Sequence, residues 1–317
     1  MAGCARATMV AAAIALACFA STPASGQPAG QWEGLAIEGV EAFNRGDNDN
    51  ALDKFHRSLA VARGFAPTDQ RLINSLLNVA VTYRRLRRLD QAEIYYLDAI
   101  RLQELAADPD LVVSLDALGQ VYHELGLAGR AEEVFRDAIR RVEEIAGADH
   151  PFTAIVLEHL GETLLNLGRY EEVGDIYGRV VHIREGTFGP NHRSLAPALT
   201  REGLAFMAVS RNLDAVQVLR RALGIWRAGG PPPTGELLTT LEALVDVSQT
   251  LGRHRDAVDY QRQVINVRAV VEGERGAVFA EELLEYARLL RRAGDTVEAA
   301  AAEIQAAQAR ERGLVRP

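Results

Sequence analysis

Cysteine is almost missing from this sequence of 317 residues: the chain has two, Cys4 and Cys18, and both lie near the N-terminus. Over the rest of the chain, disulfides, thiol nucleophiles and cysteine-ligated metals are therefore excluded. Aromatic residues are also scarce, at 6% of the chain, whereas Ala and Leu are abundant. This composition favours packed helices over a sheet rich in Val, Ile and Tyr, and we predict an all-α protein.

Lysine occurs once, at Lys54, among 35 basic residues, and this skew indicates a GC-rich bacterial genome rather than a function. Positive charge is in deficit overall, with a formal net charge of −8. Such a chain lacks the general attraction for phosphate that supports nucleic-acid binding. The one dense basic run, RRLRR over residues 84–88, is more typical of a solvated helix end than of a nucleic-acid or anionic-lipid patch. We therefore predict no nucleic-acid partner.

A long apolar run is absent beyond the N-terminal region, so we predict no transmembrane helix in the mature chain. The N-terminal region itself has one positive charge, Arg6, followed by an apolar run over residues 9–20. A Ser-, Pro- and Gly-rich stretch with a small-x-small cleavage pattern then ends at Gly26. These features predict a signal peptide over residues 1–26 and an exported protein, periplasmic or secreted.

The segment around the predicted cleavage site leaves a second possibility open. Ala-Leu-Ala-Cys, ending at Cys18, resembles a loose lipobox, although the usual Leu three places before the cysteine is missing. A lipid-anchored envelope protein with an assembly or accessory role is therefore the alternative. Residues 27–30 are predicted to be a short linker, followed by a helical array over residues 31–317.

A three-residue landmark recurs through the chain at intervals of 39 to 42 residues. It consists of a small residue, a bulky residue four places later and a usually small residue seven places later. The copies are Ala51, Phe55, Ser58; Ala92, Tyr96, Ala99; Ala131, Phe135, Ala138; Val173, Tyr177, Val180; Ala215, Leu219, Ala222; Ala257, Gln261, Val264; and Ala299, Glu303, Ala306. Seven copies at this period indicate a solenoid. The predicted repeats are approximately 31–68, 69–108, 109–147, 148–189, 190–231, 232–273 and 274–315.

A second pattern precedes each landmark. Twelve residues before it stands another residue, usually small, and a Leu lies four residues earlier still. Spacings of three and four place side chains on one face of a helix, so each repeat is predicted to contain a first and a second helix with complementary faces. The pairs are Leu35 and Gly39, Leu76 and Ala80, Leu115 and Gly119, Leu157 and Gly161, Leu199 and Gly203, Leu241 and Val245, and Leu283 and Ala287.

The segment LDALGQVYHELGLAGRAEEVFRDA, residues 115–138, resembles the tetratricopeptide repeat. The 42-residue step and the GADHP and GPNHR junctions are similar to the repeats of kinesin light chains and their bacterial relatives. The resemblance implies an α-solenoid, a right-handed superhelix of seven helix pairs that presents a concave groove to a protein partner. His150 and His192 then belong to junctions between repeats, with Pro151 starting a helix.

The family's geometry implies that residues one and five places after each conserved Leu face this groove. The predicted peptide-binding residues are Leu77, Val81, Asp116, Gln120, Glu158, Glu162, Leu204, Glu242 and Asp246. The five carboxylates among them would attract a segment that carries Lys or Arg. Simple solvation of an acidic protein is the competing interpretation of these carboxylates, and the sequence leaves both open.

No catalytic or nucleotide-binding motif occurs in the sequence. The best chemical constellation is Glu158, His159 and Glu162 with His123 of the preceding repeat. A polar groove surface whose members point several ways explains it better than a metal or acid-base site does. We predict a non-catalytic protein–protein interaction scaffold without metal or cofactor. An unrecognised metal-dependent enzyme is the second alternative.

Overall fold

The computed structural model describes residues 27–230, 233–272 and 277–314. The predicted signal peptide over residues 1–26 lies outside the described residues, as does Cys18 of the lipid-anchor alternative.

Within the described ranges the chain forms fourteen α-helices and no β-strand, which confirms the all-α prediction. The helices are α1 (Gln27–Asn44), α2 (Asn48–Ala62), α3 (Gln70–Arg85), α4 (Leu89–Ala106), α5 (Leu111–Glu124), α6 (Ala128–Ala146), α7 (Pro151–Asn166), α8 (Tyr170–Phe188), α9 (Leu195–Ala208), α10 (Asn212–Ala228), α11 (Thr234–Thr250), α12 (His254–Glu272), α13 (Ala277–Ala293) and α14 (Thr296–Leu314). Odd-numbered helices are the first helices of the predicted repeats, and even-numbered helices are the second ones.

The start of α1 differs from the sequence prediction. Residues 27–30 are helical rather than a linker, because α1 begins at Gln27. Pro28 is compatible with this position, since the N–H groups of the first helical turn have no partner within the helix.

The chain divides into two compact units, of which the first ends at Leu167 and the second begins at Gly168. In the first unit, α1 to α7 pack in succession, each on the next. In the second unit, α8 to α14 pack in the same way. Packing between neighbours along the chain is the arrangement of an α-solenoid.

The core of each unit consists of the residues that the two sequence patterns select. The conserved Leu of every first helix is buried, and the bulky landmark residue of each second helix from α2 to α12 is buried as well. The close approach of the two helices in a pair depends on the small residues of the first helix. A Cβ added to Gly39 would lie 2.5 Å from Cε1 of Phe55. In the second unit, a Cβ on Gly203 would lie 2.6 Å from Cγ of Leu219. These glycines therefore leave the space that the bulky side chain of the second helix fills.

The turn between the two helices of each repeat has one residue with a positive φ, at the same position every time. Five of the seven residues are glycine, which adopts this conformation without a steric penalty. The seven residues, with their φ angles, are Gly46 (82°), Arg87 (60°), Gly126 (75°), Gly168 (71°), Ser210 (62°), Gly252 (69°) and Gly294 (96°).

The sixth and seventh repeats replace the bulky landmark residue with a polar one. Gln261 is 3% exposed, and its Nε2 donates a hydrogen bond of 2.6 Å to Oε2 of Glu282 on α13. Glu303 is half-buried and accepts a bond of 2.8 Å from Arg291. The C-terminal repeats therefore retain the helix pair: Glu303 is satisfied across its own pair, and Gln261 is satisfied by the first helix of the next repeat.

Candidate functional site

Polar side chains of the first helices form a continuous network in the first unit. Arg84, near the end of α3, donates through Nη2 to Oε1 of Gln120 at 2.8 Å and through Nε to Oε1 of Glu124 at 2.7 Å. Both acceptors lie on α5. Arg87, in the α3–α4 turn, also pairs with Glu124. The basic run of residues 84–88 therefore includes two arginines that hold a glutamate of the next repeat.

The network continues from α5 to α7 through Asp116. Oδ2 of Asp116 accepts a bond of 2.8 Å from Nε2 of Gln120, and Oδ1 lies 2.7 Å from Nδ1 of His159. Asp116 is only 2% exposed, in contrast to its expected role as a direct groove contact. The difference arises because Gln120 and His159 form hydrogen bonds with its two carboxylate oxygens. Asp116 can therefore affect a ligand only by positioning Gln120 and His159.

His123 makes a second connection between α5 and α7. Its Nδ1 lies 2.9 Å from Oγ1 of Thr163, and its Nε2 lies 3.4 Å from Nδ2 of Asn166. We call the connected side chains the first-helix network; its members are Arg84, Asp116, Gln120, Glu124 and His159, and His123 forms a separate link between α5 and α7. The network fixes polar groups on three first helices in one arrangement before any ligand binds.

The acidic residues predicted on α7 lie beside this network. Glu158 is half-buried and Glu162 is exposed. Burial lowers the pKa of His159, but the bond to Asp116 and the charges of Asp116, Glu162 and Glu158 outweigh it and raise the pKa above its usual value. The protonated imidazole is thus favoured at this surface.

The apolar residues predicted for the groove are half-buried. Leu77 and Val81 on α3 pack against the core cluster of the first unit that includes Phe55 and Leu76. Leu204 on α9 packs against a core cluster of the second unit that includes Leu219. These three side chains contribute to the cores and expose only part of their surface.

In the second unit, the predicted acidic contacts have different surroundings. Glu242 on α11 accepts a bond of 2.7 Å from Nη2 of Arg268, and Nε of Arg268 lies 3.0 Å from Oε1 of Glu282. Asp246 is exposed as a residue. Its carboxyl is nevertheless partly desolvated, and this desolvation together with the charges of Glu242 and Glu285 raises its pKa. An arginine from α12 therefore balances part of the negative charge that the sequence predicted on this surface.

Sequence analysis missed Glu202 on α9. Burial raises the pKa of this carboxyl to about 7, although Arg221 and Arg211 oppose the shift. A Cβ added to Gly178 on α8 would lie 3.2 Å from Oε1 of Glu202, so the carboxyl occupies the space above that glycine. A signal was present in the sequence: at the same repeat position, four other first helices have the buried apolar residues Val79, Leu118, Leu160 and Leu244.

The described ranges contain neither a metal-binding cluster nor a membrane-spanning helix. No three His, Cys, Asp or Glu side chains in residues 27–230, 233–272 and 277–314 are placed to hold a metal ion. None of the helices in the same ranges is long and apolar enough to span a membrane.

The fold and the network together define a class of protein: an all-α chain of repeated helix pairs with preorganised polar groups on its first helices. Residues 40–104 and 110–181 match the family model of the tetratricopeptide repeat. The chain therefore contains tetratricopeptide repeats in these two segments, as the resemblance predicted.

Known proteins with similar sequences or folds include kinesin light chain relatives. The chain is 22% identical to Protein KINESIN LIGHT CHAIN-RELATED 3 of Arabidopsis thaliana, over 78% of this chain and 39% of the relative. It thus spans about two fifths of that protein's length. The solved structure of BtubC (BKLC) from P. vanneervenii is similar with a TM-score of 0.59 and 18% identity, over 78% of this chain and 93% of that one.

A further structural relative is the signal transduction ATPase with numerous domains and a tetratricopeptide repeat sensor from Pyrococcus horikoshii. Its TM-score is 0.67 and its identity 14%, over 89% of this chain and 41% of that one. At such identities, the two solved structures show a shared fold alone.

Proposed function

We propose that this protein is a non-catalytic scaffold that binds a protein segment rich in Lys or Arg on the first-helix surface of its first unit. The observation that carries the proposal is the first-helix network, which holds polar side chains of α3, α5 and α7 in one arrangement. Preorganised groups bind a partner with little loss of side-chain entropy. Tetratricopeptide repeats, present in the matched segments, stack into surfaces of this kind.

Charge supports a basic partner. Glu162 is exposed on α7 next to half-buried Glu158, and the whole chain has a formal net charge of −8. A negative surface steers a cationic segment toward it and disfavours an acidic one. Partial exposure of Leu77 and Val81 adds apolar area for the same segment. The roles of Leu204, Glu242 and Asp246 in the second unit stay predictions.

The experiment is a binding titration of residues 27–317 with two fluorescent peptides that are capped at both ends. One alternates Ala with Arg, and the other alternates Ala with Glu. We expect saturable binding of the Arg peptide that weakens as salt is added, and no binding of the Glu peptide.

A pair of matched variants locates the site. Glu162→Gln on α7 should weaken the Arg peptide roughly two- to fivefold, the range of one partly exposed charge pair. Glu133→Gln removes an exposed carboxylate from the second helix α6 of the same unit and should leave the affinity unchanged. Equal losses in both variants, or equal affinity for the two peptides, would contradict the proposal.

Export belongs to the same proposal. It rests on the N-terminal pattern of Arg6, the apolar run over residues 9–20 and the small-x-small site ending at Gly26. Mass analysis of the protein from fractionated cells of its own host should find an N-terminus near Gln27. An intact Met1 would rule out cleavage, and a lipid on Cys18 would favour the lipid-anchored alternative.

A further inference from the structure

The pairing of Asp116 with His159 determines which hydrogen-bonding group His159 presents. A carboxylate oxygen accepts hydrogen bonds, so the 2.7 Å contact places a proton on Nδ1 of the imidazole. The other oxygen of Asp116 accepts from Gln120, which fixes the carboxylate. In the neutral ring, Nε2 therefore has a lone pair. In the protonated ring, the same atom is a donor on a cation.

The imidazole lies at the edge of the solvent-exposed surface. Its side chain is 29% exposed, while that of Asp116 is 2% exposed. The ring of Phe135 on α6 packs at a centroid distance of 5.8 Å. Across the described part of the chain, no hydrogen bond reaches Nε2 of His159. Both carboxylate oxygens of Asp116 and Nδ1 of His159 have partners, so Nε2 is the side-chain polar atom of this pair that is left for a ligand.

We propose that Nε2 of His159 accepts a hydrogen bond from a guanidinium or ammonium group of the bound segment, and that protonation of the ring releases that segment. This inference rests on the proposed binding of a basic segment to the first-helix surface. Asp116 is the positioning residue, since it holds the tautomer in which Nε2 accepts. Two changes accompany protonation: the acceptor becomes a donor, and a positive charge appears beside the cationic ligand. Both weaken binding.

The charged groups around His159 support a switch at a single residue. From α5, Asp116 bonds to the ring and the neutral Gln120 bonds to Asp116, while the ring of Phe135 packs against the imidazole from α6. On α7, Glu158 and Glu162 act on it through their charge. His123 of α5 contacts Thr163, one turn further along α7. The bond to Asp116 and the acidic neighbours raise the pKa of His159 despite its burial, so the ring is charged in mildly acid solution and loses its proton at a higher pH than an ordinary histidine does.

The test measures the affinity of the capped Ala-Arg peptide at about pH 5.5 and about pH 9, at one ionic strength. Arg stays charged at both values, and carboxylates with ordinary pKa values stay ionised. We expect the wild-type protein to bind roughly five- to tenfold more weakly at the lower pH, as a lost charge-assisted bond and an added repulsion predict. His159→Gln should bind with equal affinity at both pH values.

A control variant and a spectroscopic measurement separate the possible failures. His192→Gln, at an exposed position in the second unit, should keep the wild-type pH dependence. Nitrogen NMR of the imidazole should show the Nδ1–H tautomer in the neutral ring, and Asp116→Asn should lower the pKa of His159.

Each outcome addresses one of the two proposals. If the wild-type protein does not bind the Arg peptide even at about pH 9, the proposed function fails, whatever the NMR result. If it binds at about pH 9 without pH dependence, or if His159→Gln keeps the dependence, the switch is overturned while basic-segment binding stands. Should Asp116→Asn fail to fold, the comparison of His159→Gln with His192→Gln decides the matter.

Discussion

Gly119 on α5 lies directly beneath the ring of Phe135 on α6: a Cβ added to Gly119 would be 2.5 Å from Cε1 and 2.7 Å from Cδ1 of that ring. The contact repeats the one between Gly39 and Phe55 in the first helix pair. A glycine that weakens an isolated helix is therefore required here by the neighbouring helix.

We expect Gly119→Leu to lower the free energy of unfolding by about 1 to 3 kcal/mol or more, because the new side chain overpacks against Phe135. Gly203→Leu, beneath Leu219 in the second unit, should behave in the same way. Chemical denaturation followed by circular dichroism measures the free energy of unfolding of both variants. The matched controls are Gly34→Leu in α1 and Gly224→Leu in α10, where an added Cβ meets nothing within 4 Å. Loss of stability in the controls as large as in the test variants would contradict the packing explanation.

Glu202 should make stability depend on pH. Its folded-state pKa of about 7 exceeds the unfolded value of about 4.3, so the folded chain retains a proton that the unfolded chain has lost between these values. The stabilising contribution of the protonated carboxyl is present below about pH 4.3 and disappears as the pH rises through about 7. Glu202→Gln should therefore be more stable than the wild type by about 1 to 2 kcal/mol at alkaline pH, after allowance for partial exposure.

The measurement for Glu202 is a pair of urea titrations, near pH 4.5 and near pH 8.5. At the lower value the difference between Glu202→Gln and wild type should nearly vanish. Glu133→Gln, at an exposed carboxylate, is the control whose effect should not change between the two titrations. If Glu202→Gln were more stable than the wild type by the same amount at both pH values, ionisation of Glu202 would not be the cause of the difference.

Thr240 joins two buried groups in the second unit. Its Oγ1 accepts a bond of 3.2 Å from Nε1 of Trp226 and lies 2.9 Å from Oγ1 of Thr200. Thr240→Val leaves the buried indole N–H without a partner and should cost about 1 to 3 kcal/mol. Thr239→Val, at the exposed neighbouring position, should change stability by less than about 0.5 kcal/mol. Equal losses of stability in Thr240→Val and Thr239→Val, measured by thermal denaturation, would refute the hydrogen-bond argument.

Ser210 has a φ of 62° at the turn position where five other repeats have glycine. Ser210→Gly should stabilise the protein by about 0.5 to 1 kcal/mol, because glycine adopts this conformation without strain. The reverse change at the equivalent turn, Gly252→Ser, should destabilise it by a similar amount. Thermal melts of the two variants are expected to shift in opposite directions, and shifts of the same sign would contradict the prediction.

The packing of Gln261 could not be predicted from the sequence, where Gln261 stands at a position that Phe or Tyr occupies in the first four repeats. In the structure it is buried and bonded to Glu282, and Val245 replaces the usual small residue at the facing repeat position. We expect Gln261→Phe alone to overpack the α11–α12 pair, and Gln261→Phe with Val245→Gly to recover most of the lost stability. A double variant no more stable than the single one would contradict this compensation.

Much of the fold followed from the sequence by itself, because helix pairs of this kind are specified by short spacings. Leu115, Gly119 and Phe135 were identified by spacings along the chain, and all three are buried where the pattern placed them. Gly126 has a positive φ in the turn of its repeat, a conformation that favours glycine locally although Arg87 and Ser210 adopt it in other repeats. The assignment of His150 to a junction between repeats, with the preference of proline for the first helical position, also predicted that Pro151 starts a helix, as it does in α7.

The chemistry of the surface was decided only by the tertiary structure. Asp116 has a carboxylate at a predicted groove position, yet His159, 43 residues away, covers it and becomes the exposed member of the pair. Arg268 similarly balances Glu242 from 26 residues away, and burial under a neighbouring helix perturbs Glu202. Spacing along one helix determines which face a residue occupies. Its charge state and its exposure depend on side chains of other helices, which come together only when the chain folds.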